Sequence, residues 1–339
     1  MTTLFGQVPL GLDPSRKTVD LLRVDPEEFR EPFFEHTVNR LREERGGEIL
    51  TVTWDELIED SASWSPVRNM GALIFNVGRC GSTMLSNMIR SHPGVWALSE
   101  PEPLSKPELV ARRSMDLATR TAAETIYNLC SRLLEGRAEQ AGKTLVVKYP
   151  SWLAARAPAI STSHPDAAIL GLYRDPLEVV ASYIQKPPVF AGGMHAPAAT
   201  QMSVTPALAT MRRPEPMTAA VYFAAIFAST LVGMMAVPEN RLLILDYRHL
   251  TADVDAVARK VFSHLDLPAT EETLSAVVAS TSRYAKSNDD GVKFDPKGAH
   301  ARRALTPRTQ REVSSVVEDT MAQIINHPAH FRLNLEESP

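Results

Sequence analysis

The stretch at 71–93, GALIFNVGRCGSTMLSNMIRSHP, constrains this chain more than any other. An apolar run passes through Gly78, Arg79, Cys80, Gly81, Ser82 and Thr83 into a helical run at 84–90. A strand–loop–helix with Gly at the turn aims backbone N–H groups at one point, at the positive end of the helix dipole. Ser82 and Thr83 add hydroxyl donors and Arg79 adds a fixed charge. The stretch predicts a cup for a phosphate or sulfate group. The bland alternative is a tight turn with no ligand, but that turn would not need so many anion donors.

The rest of the chain sets this loop in a sheet. Short β-rich runs at 72–77, 95–98, 145–149, 168–173 and 242–247 alternate with helical stretches. Most are continuously apolar, as parallel strands covered on both faces are. This predicts an α/β fold, a parallel β-sheet of about five strands flanked by helices. Ligands of such a sheet lie beyond the carboxyl ends of its strands.

Residues 1–70 read as an N-terminal accessory helical region, and 71–335 as the main domain. Asp25-Pro26 reads as a helix start. Phe29, Phe33, Phe34, Val38 and Leu41 follow at roughly helical spacing. A shorter helical piece covers 54–58, and 61–68 reads as a polar linker. The stretch 185–216, rich in Pro, Ala, Gly and Met, reads as a substrate loop or lid. Helices are expected at 254–265, at 271–282 and from Thr306-Pro307 onward. The uncharged stretch 217–238 is long enough to span a membrane. It is rich in small residues and lies between two strands of one sheet, so a buried helix is expected and no membrane partner. The formal net charge of −4 argues against nucleic acid as a partner. Two distant cysteines without metal-ligand spacing, and an N-terminus without the pattern of a secretory signal, point to a reducing, cytoplasmic setting. Oligomeric state is not legible.

Three chemistries compete for the cup. A nucleoside-triphosphate loop needs a Lys after its last Gly, and Ser82 stands there. No Asp after a strand presents itself as a magnesium ligand. A Cys-based phosphatase needs an Arg six residues after the Cys, where this chain has Ser86. A sulfonate carries less charge than a phosphoryl group, so Arg and Lys can serve without a metal.

At this point the residues resemble the PAPS-dependent sulfotransferases, where PAPS is 3′-phosphoadenosine 5′-phosphosulfate. The stretch 77–83 is similar to that family's 5′-phosphosulfate loop. The likeness is nearest to the protein-tyrosine sulfotransferase branch and to bacterial small-molecule enzymes with a Glu base. In both, the loop helix leads into a His-Pro segment and a Glu-containing turn, here Ser91-His92-Pro93 through Ser99-Glu100-Pro101. The resemblance implies that Arg79, Cys80, Gly81, Ser82 and Thr83 hold the cofactor, with Arg79 also acting on the transferring group. It implies that Arg174, at the end of 168–173, and Ser182, in the helix opened by Asp175-Pro176, bind the 3′-phosphate. Read alone, Arg174-Asp175-Pro176 is equally a helix start with a local ion pair. Lys148, after a buried strand, matches the family's transition-state lysine. Its plain alternative is a surface Lys.

Phenol and steroid sulfotransferases use a His two residues beyond that Lys, where this chain has Pro150. The other branch uses a Glu after the second strand, which Glu100 matches, with Glu102 as runner-up. The plain alternative for Glu100 is a capping or surface carboxylate. The family's C-terminal loop over the 3′-phosphate implies Ser287 and Lys297 as further cofactor contacts, with Lys293 beside them.

The resulting expectation is a sulfotransferase that moves a sulfonate from PAPS to a small-molecule hydroxyl. It leaves 3′-phosphoadenosine 5′-phosphate (PAP), with Glu100 as base and no metal. A P-loop small-molecule kinase and a catalytically silent sulfotransferase-like binding protein are the alternatives. The acceptor is not legible beyond the apolar or aromatic character that the loop at 185–216 favours.

Overall fold

The computed structural model describes residues 3–114, 116–195, 217–281 and 305–333. The main sheet is built from β4 (Met70–Asn76), β5 (Val95–Ser99), β6 (Thr144–Lys148), β7 (Ala168–Tyr173) and β8 (Leu242–Asp246); β1 to β3 lie earlier in the chain. Its order is β5-β6-β4-β7-β8, and every pairing is parallel. The five apolar runs read from the sequence are these strands. They read as continuous because both faces are covered: β5 and β8 are buried at every position.

Helices supply the cover. α3 (Ser82–Arg90) follows β4; α4 (Glu102–Arg113) and α5 (Leu117–Gln140) follow β5. α6 (Ala157–Ser163) follows β6, and α7 (Pro176–Gln185) and α8 (Ala219–Met235) follow β7. After β8 come α9 (Tyr247–Ala252), α10 (Val254–His264), α11 (Glu271–Thr281) and α12 (Pro307–Ile325). α8 is the uncharged segment. It packs against α12, α7 and the 3-10 turn Ser151–Arg156, and thirteen of its residues are buried. No described helix is long and apolar enough to cross a membrane.

The strand order reverses around β4. The chain leaves β4 for the β5 edge, returns through β6, then crosses to β7 and β8. A crevice forms where such an order reverses, beyond the carboxyl ends. Those ends carry Asn76, Ser99, Lys148, Tyr173 and Asp246. The register sets Lys148 beside Ile74 on one side and Ser99 on the other.

The first 70 residues are richer than a helical region. α1 (Phe34–Arg45) and α2 (Trp54–Ser61) are present, and so is an antiparallel sheet of β1 (Val8–Asp13), β2 (Thr18–Leu22) and β3 (Leu50–Thr53). The helix expected from Asp25-Pro26 is only a 3-10 turn, Pro26–Glu28, and α1 begins at Phe34. Pro32 explains the break, because proline disfavours helical backbone before it and lacks the N–H a helix needs. The unit shares one apolar core with the main sheet. Phe29 stacks on Phe34 with centroids 5.3 Å apart and meets Trp96 of β5 edge-on at 5.4 Å.

Glu31 closes this corner. Its carboxylate accepts Arg40 Nε at 2.7 Å and Thr37 Oγ1 at 2.6 Å, and its carbonyl accepts Arg90 of α3 at 3.1 Å. Burial pushes this carboxyl up, but the bonds from Arg40 and Thr37 outweigh it and hold it at about 2. A depressed carboxyl pKa gives stability that is present above the unfolded value, near 4.5, and is lost as pH falls through about 2. Glu31→Gln is therefore expected to be less stable than the wild type at neutral pH, with the gap closing as the pH is lowered. Urea unfolding of both proteins at neutral pH and at about pH 3 checks this, and a gap of constant size would contradict it.

Candidate active site

The cup is set by the end of β4 and the start of α3. Asn76, almost fully buried, accepts Gly78 N–H at 2.9 Å and donates to the Tyr149 carbonyl at 3.0 Å. Val77 N–H donates to the Leu172 carbonyl at 3.2 Å, and the Val77 carbonyl accepts Tyr183 Oη at 2.6 Å. The backbone then turns through positive φ at Gly78, Arg79 and Gly81, at +73°, +54° and +82°. Gly81 is the N-cap of α3, so the N–H groups of Ser82 and Thr83 belong to the first helical turn, which has no acceptors within the helix. The strand, the positive-φ turn and the helix start thus follow one another here as the sequence predicts.

The loop side chains divide. Ser82 and Thr83 are buried at the start of α3, and Arg79 is half-exposed, with one guanidinium nitrogen 3.4 Å from the Lys186 carbonyl. Cys80 turns the other way. Its thiol is buried against the Leu172 carbonyl, 3.5 Å away, and burial pushes its pKa up to about 11. Only its backbone can face a ligand. Cys80 and Cys130 are both buried free thiols.

Glu100 follows β5 directly and holds φ of +60°, a conformation that non-glycine residues rarely adopt and that costs on the order of 1–3 kcal/mol. Its N–H donates to the Lys148 carbonyl at 2.7 Å. The bend returns its carboxylate to the Lys148 Nζ, and the two form an ion pair. Lys148 is 2% exposed and Glu100 36%, so the lysine is enclosed while the carboxylate stays open to a ligand. The ammonium also lies 5.2 Å from the centroid of the Phe33 ring. Tyr149, the next residue, is held by stacking on Phe75 and by Tyr127 Oη at 2.7 Å. Glu102 is in a different place. It opens α4 and pairs with Lys106 at 2.6 Å, and Lys106 reaches the Leu12 carbonyl of β1. Of the two carboxylates, Glu100 is the one brought to Lys148.

Arg174 directly follows β7, and the local ion pair is there too. The partner is Glu178 at 2.5 Å; Asp175 instead caps α7 by accepting Leu177 N–H and Glu178 N–H. The guanidinium also donates to the Arg79 carbonyl at 3.2 Å and lies 4.5 Å from the Tyr247 ring centroid, tying β7 and α9 to the cup. Ser182 is half-buried in the second turn of α7. Ser287, Lys293 and Lys297 lie outside the described residues, as does 196–216 of the loop read as a lid; 189–195 of that loop forms a 3-10 turn.

Sequence reasoning missed Tyr183, Ser151, Tyr247 and Phe33. Tyr183 and Ser151 crowd Gly78, and Tyr247 crowds Gly81. Tyr247 stands just past the carboxyl end of a parallel strand, a signal that could have found it. Phe33 lies far away in sequence and had no such signal.

The geometry defines a parallel α/β protein with a glycine-turned strand–loop–helix at the reversal point of its sheet. The family model described as "Sulfotransferase family" matches residues 72–272, from β4 into α11, and the chain belongs to that family. No curated protein matches the sequence. Among solved structures, a sulfotransferase domain from the curacin biosynthetic pathway is 17% identical, with TM-score 0.43, covering 75% of this chain and 99% of its own. A sulfotransferase domain from the Synechococcus PCC 7002 olefin synthase is also 17% identical, with TM-score 0.46 and coverages of 76% and 96%. The sulfotransferase STF9 from Mycobacterium avium is 13% identical, with TM-score 0.46 and coverages of 86% and 85%.

Proposed function

We propose that this chain transfers the sulfonate of PAPS to the hydroxyl of a small molecule, with Glu100 as the base. One observation carries the reading: an open carboxylate and an enclosed ammonium touch at neighbouring strand ends, beside the cup. The 5′-phosphosulfate would lie on the amides and hydroxyls of 78–83, with Arg79 at its rim. The acceptor oxygen attacks sulfur, its proton passes to Glu100, and the bond from sulfur to the 5′-phosphate oxygen breaks. Charge builds on that leaving oxygen, where Lys148 can meet it. Lys148 must therefore exchange part of its contact with Glu100 for the nucleotide, which frees the carboxylate for the proton. The residues named supply the positive charge themselves, so no metal enters the scheme.

The experiment is incubation with PAPS and a metabolite extract, with mass spectrometry for compounds that gain SO3, repeated with EDTA. Transfer that persists in the chelator is expected. Transfer from ATP that requires magnesium would put the kinase reading in its place, although Ser82 stands where that chemistry needs a lysine. Retention of PAPS with no transfer to any acceptor would favour a silent binding protein.

Arg174 and Ser182 are assigned to the 3′-phosphate. Arg174 is braced by Glu178 and Tyr247 before any ligand arrives, which lowers the ordering cost of a charged contact. Arg174→Ala is expected to weaken PAP binding by roughly 10- to 100-fold while leaving kcat at saturating PAPS much less affected. Normal affinity by calorimetry would remove Arg174 from the cofactor site.

A further inference from the structure

We propose that Phe33, from the N-terminal unit that precedes the matched family segment, is a specificity-determining wall of the acceptor site and selects hydroxyl compounds with a flat apolar frame. The inference rests on the reading of Glu100 and Lys148 given above.

The ring lies over the Lys148 ammonium at 5.2 Å from its centroid, and the Glu100 carboxylate is one hydrogen bond further on. An acceptor hydroxyl must come within hydrogen-bond reach of that carboxylate. In the proposed pose its carbon frame lies against Phe33, on the far side of the same ammonium. The flanking residues Pro32 and Phe34 are buried, whereas Phe33 is only half-buried, so part of its ring remains free to meet a ligand. Its edge-on neighbour, His36 at 5.5 Å, is exposed.

Helix energetics do not account for a phenylalanine here. Phe33 is the N-cap of α1 and makes no side-chain cap bond. Ser, Thr, Asp or Asn at that position would satisfy a first-turn N–H. The position is also held firmly. Glu31 fixes it to Arg40, Thr37 and Arg90, and Phe29 and Phe34 anchor it to Trp96 of β5. An aromatic held over the Lys148 ammonium suits a planar apolar partner, which loses little conformational freedom on stacking.

The test uses the full chain loaded with PAP, and calorimetric titration with 2-naphthol and with 1-propanol. The wild type should bind 2-naphthol well ahead of 1-propanol. Phe33→Ala should weaken 2-naphthol on the order of tenfold and leave PAP affinity unchanged, while Phe33→Tyr restores the binding. If Phe33→Ala lowers PAP and 2-naphthol affinity alike, or Phe33→Tyr fails to rescue, the ring is only a structural prop and the proposal falls. A wild type that takes PAP but no 2-naphthol up to millimolar concentration overturns this inference alone. Failure to take PAP would overturn the reading of the cup beneath it.

Discussion

Glu100→Gln is expected to lower kcat by about two to four orders of magnitude while PAP still binds. Glutamine has nearly the shape of glutamate, so the backbone at φ of +60° meets the same steric demand. It cannot take up the acceptor's proton. It also leaves Lys148, 2% exposed, without its anionic partner. Uncompensated buried charge is destabilising, so the variant should unfold at a lower urea concentration than the wild type. Nucleotide should restore part of that loss, because its phosphates supply the missing negative charge. Turnover at saturating PAPS, PAP titration and urea unfolding measure the three effects separately. Turnover within about threefold of the wild type would eliminate Glu100 as the base. The corresponding change at Glu102, which pairs with Lys106, should leave turnover nearly untouched.

Gly78→Ala should abolish cofactor binding at working concentrations, with a loss on the order of 100-fold or more. Two costs combine. The residue holds φ of +73°, which an alanine adopts only under strain. The added Cβ would also lie 2.1 Å from Tyr183 Oη and 3.0 Å from Ser151 Oγ. Tyr183 would have to leave the Val77 carbonyl it now holds, and the loop amides would turn with it. Gly81→Ala meets the same difficulty at Tyr247, whose ring carbons lie 2.7 Å from the new Cβ. Gly142→Ala serves as the control: φ there is +66°, but nothing stands within 4 Å of the added carbon. It should cost stability and leave PAP affinity alone. Calorimetry on the three variants checks this. Unchanged affinity in Gly78→Ala would mean that the loop amides do not hold the nucleotide.

The strands of the main sheet were legible because they are covered on both faces and most read as unbroken apolar runs. The N-terminal sheet was not. β1 contains Pro9 and Gly11, which weaken any strand assignment; they are tolerated because β1 is an edge strand and its register shifts between them. β3 is four residues long with only Val52 buried, so it carries almost no hydrophobic signal. The helical spacing from Phe29 to Leu41 was real as an apolar face but ran across Pro32, which splits it into a turn and a helix.

Local chemistry in the sequence determined the strand–turn–helix that begins at β4. Glycines where φ must be positive, hydroxyls at a helix start and an arginine beside them all lie within one short stretch, and each acts through its own backbone or its nearest neighbours. Local chemistry also marked Lys148 and Arg174, since a charge that ends a buried strand has few other places to go. The family resemblance ranked Glu100 above Glu102, but only the tertiary structure showed which of them reaches Lys148, turned Cys80 inward, set Glu178 and Tyr247 around Arg174, and brought Phe33 over Lys148. Those relations depend on how strands distant in sequence align side by side and on which way a single bend turns a side chain. The packed core sets both, and no short window of residues contains it.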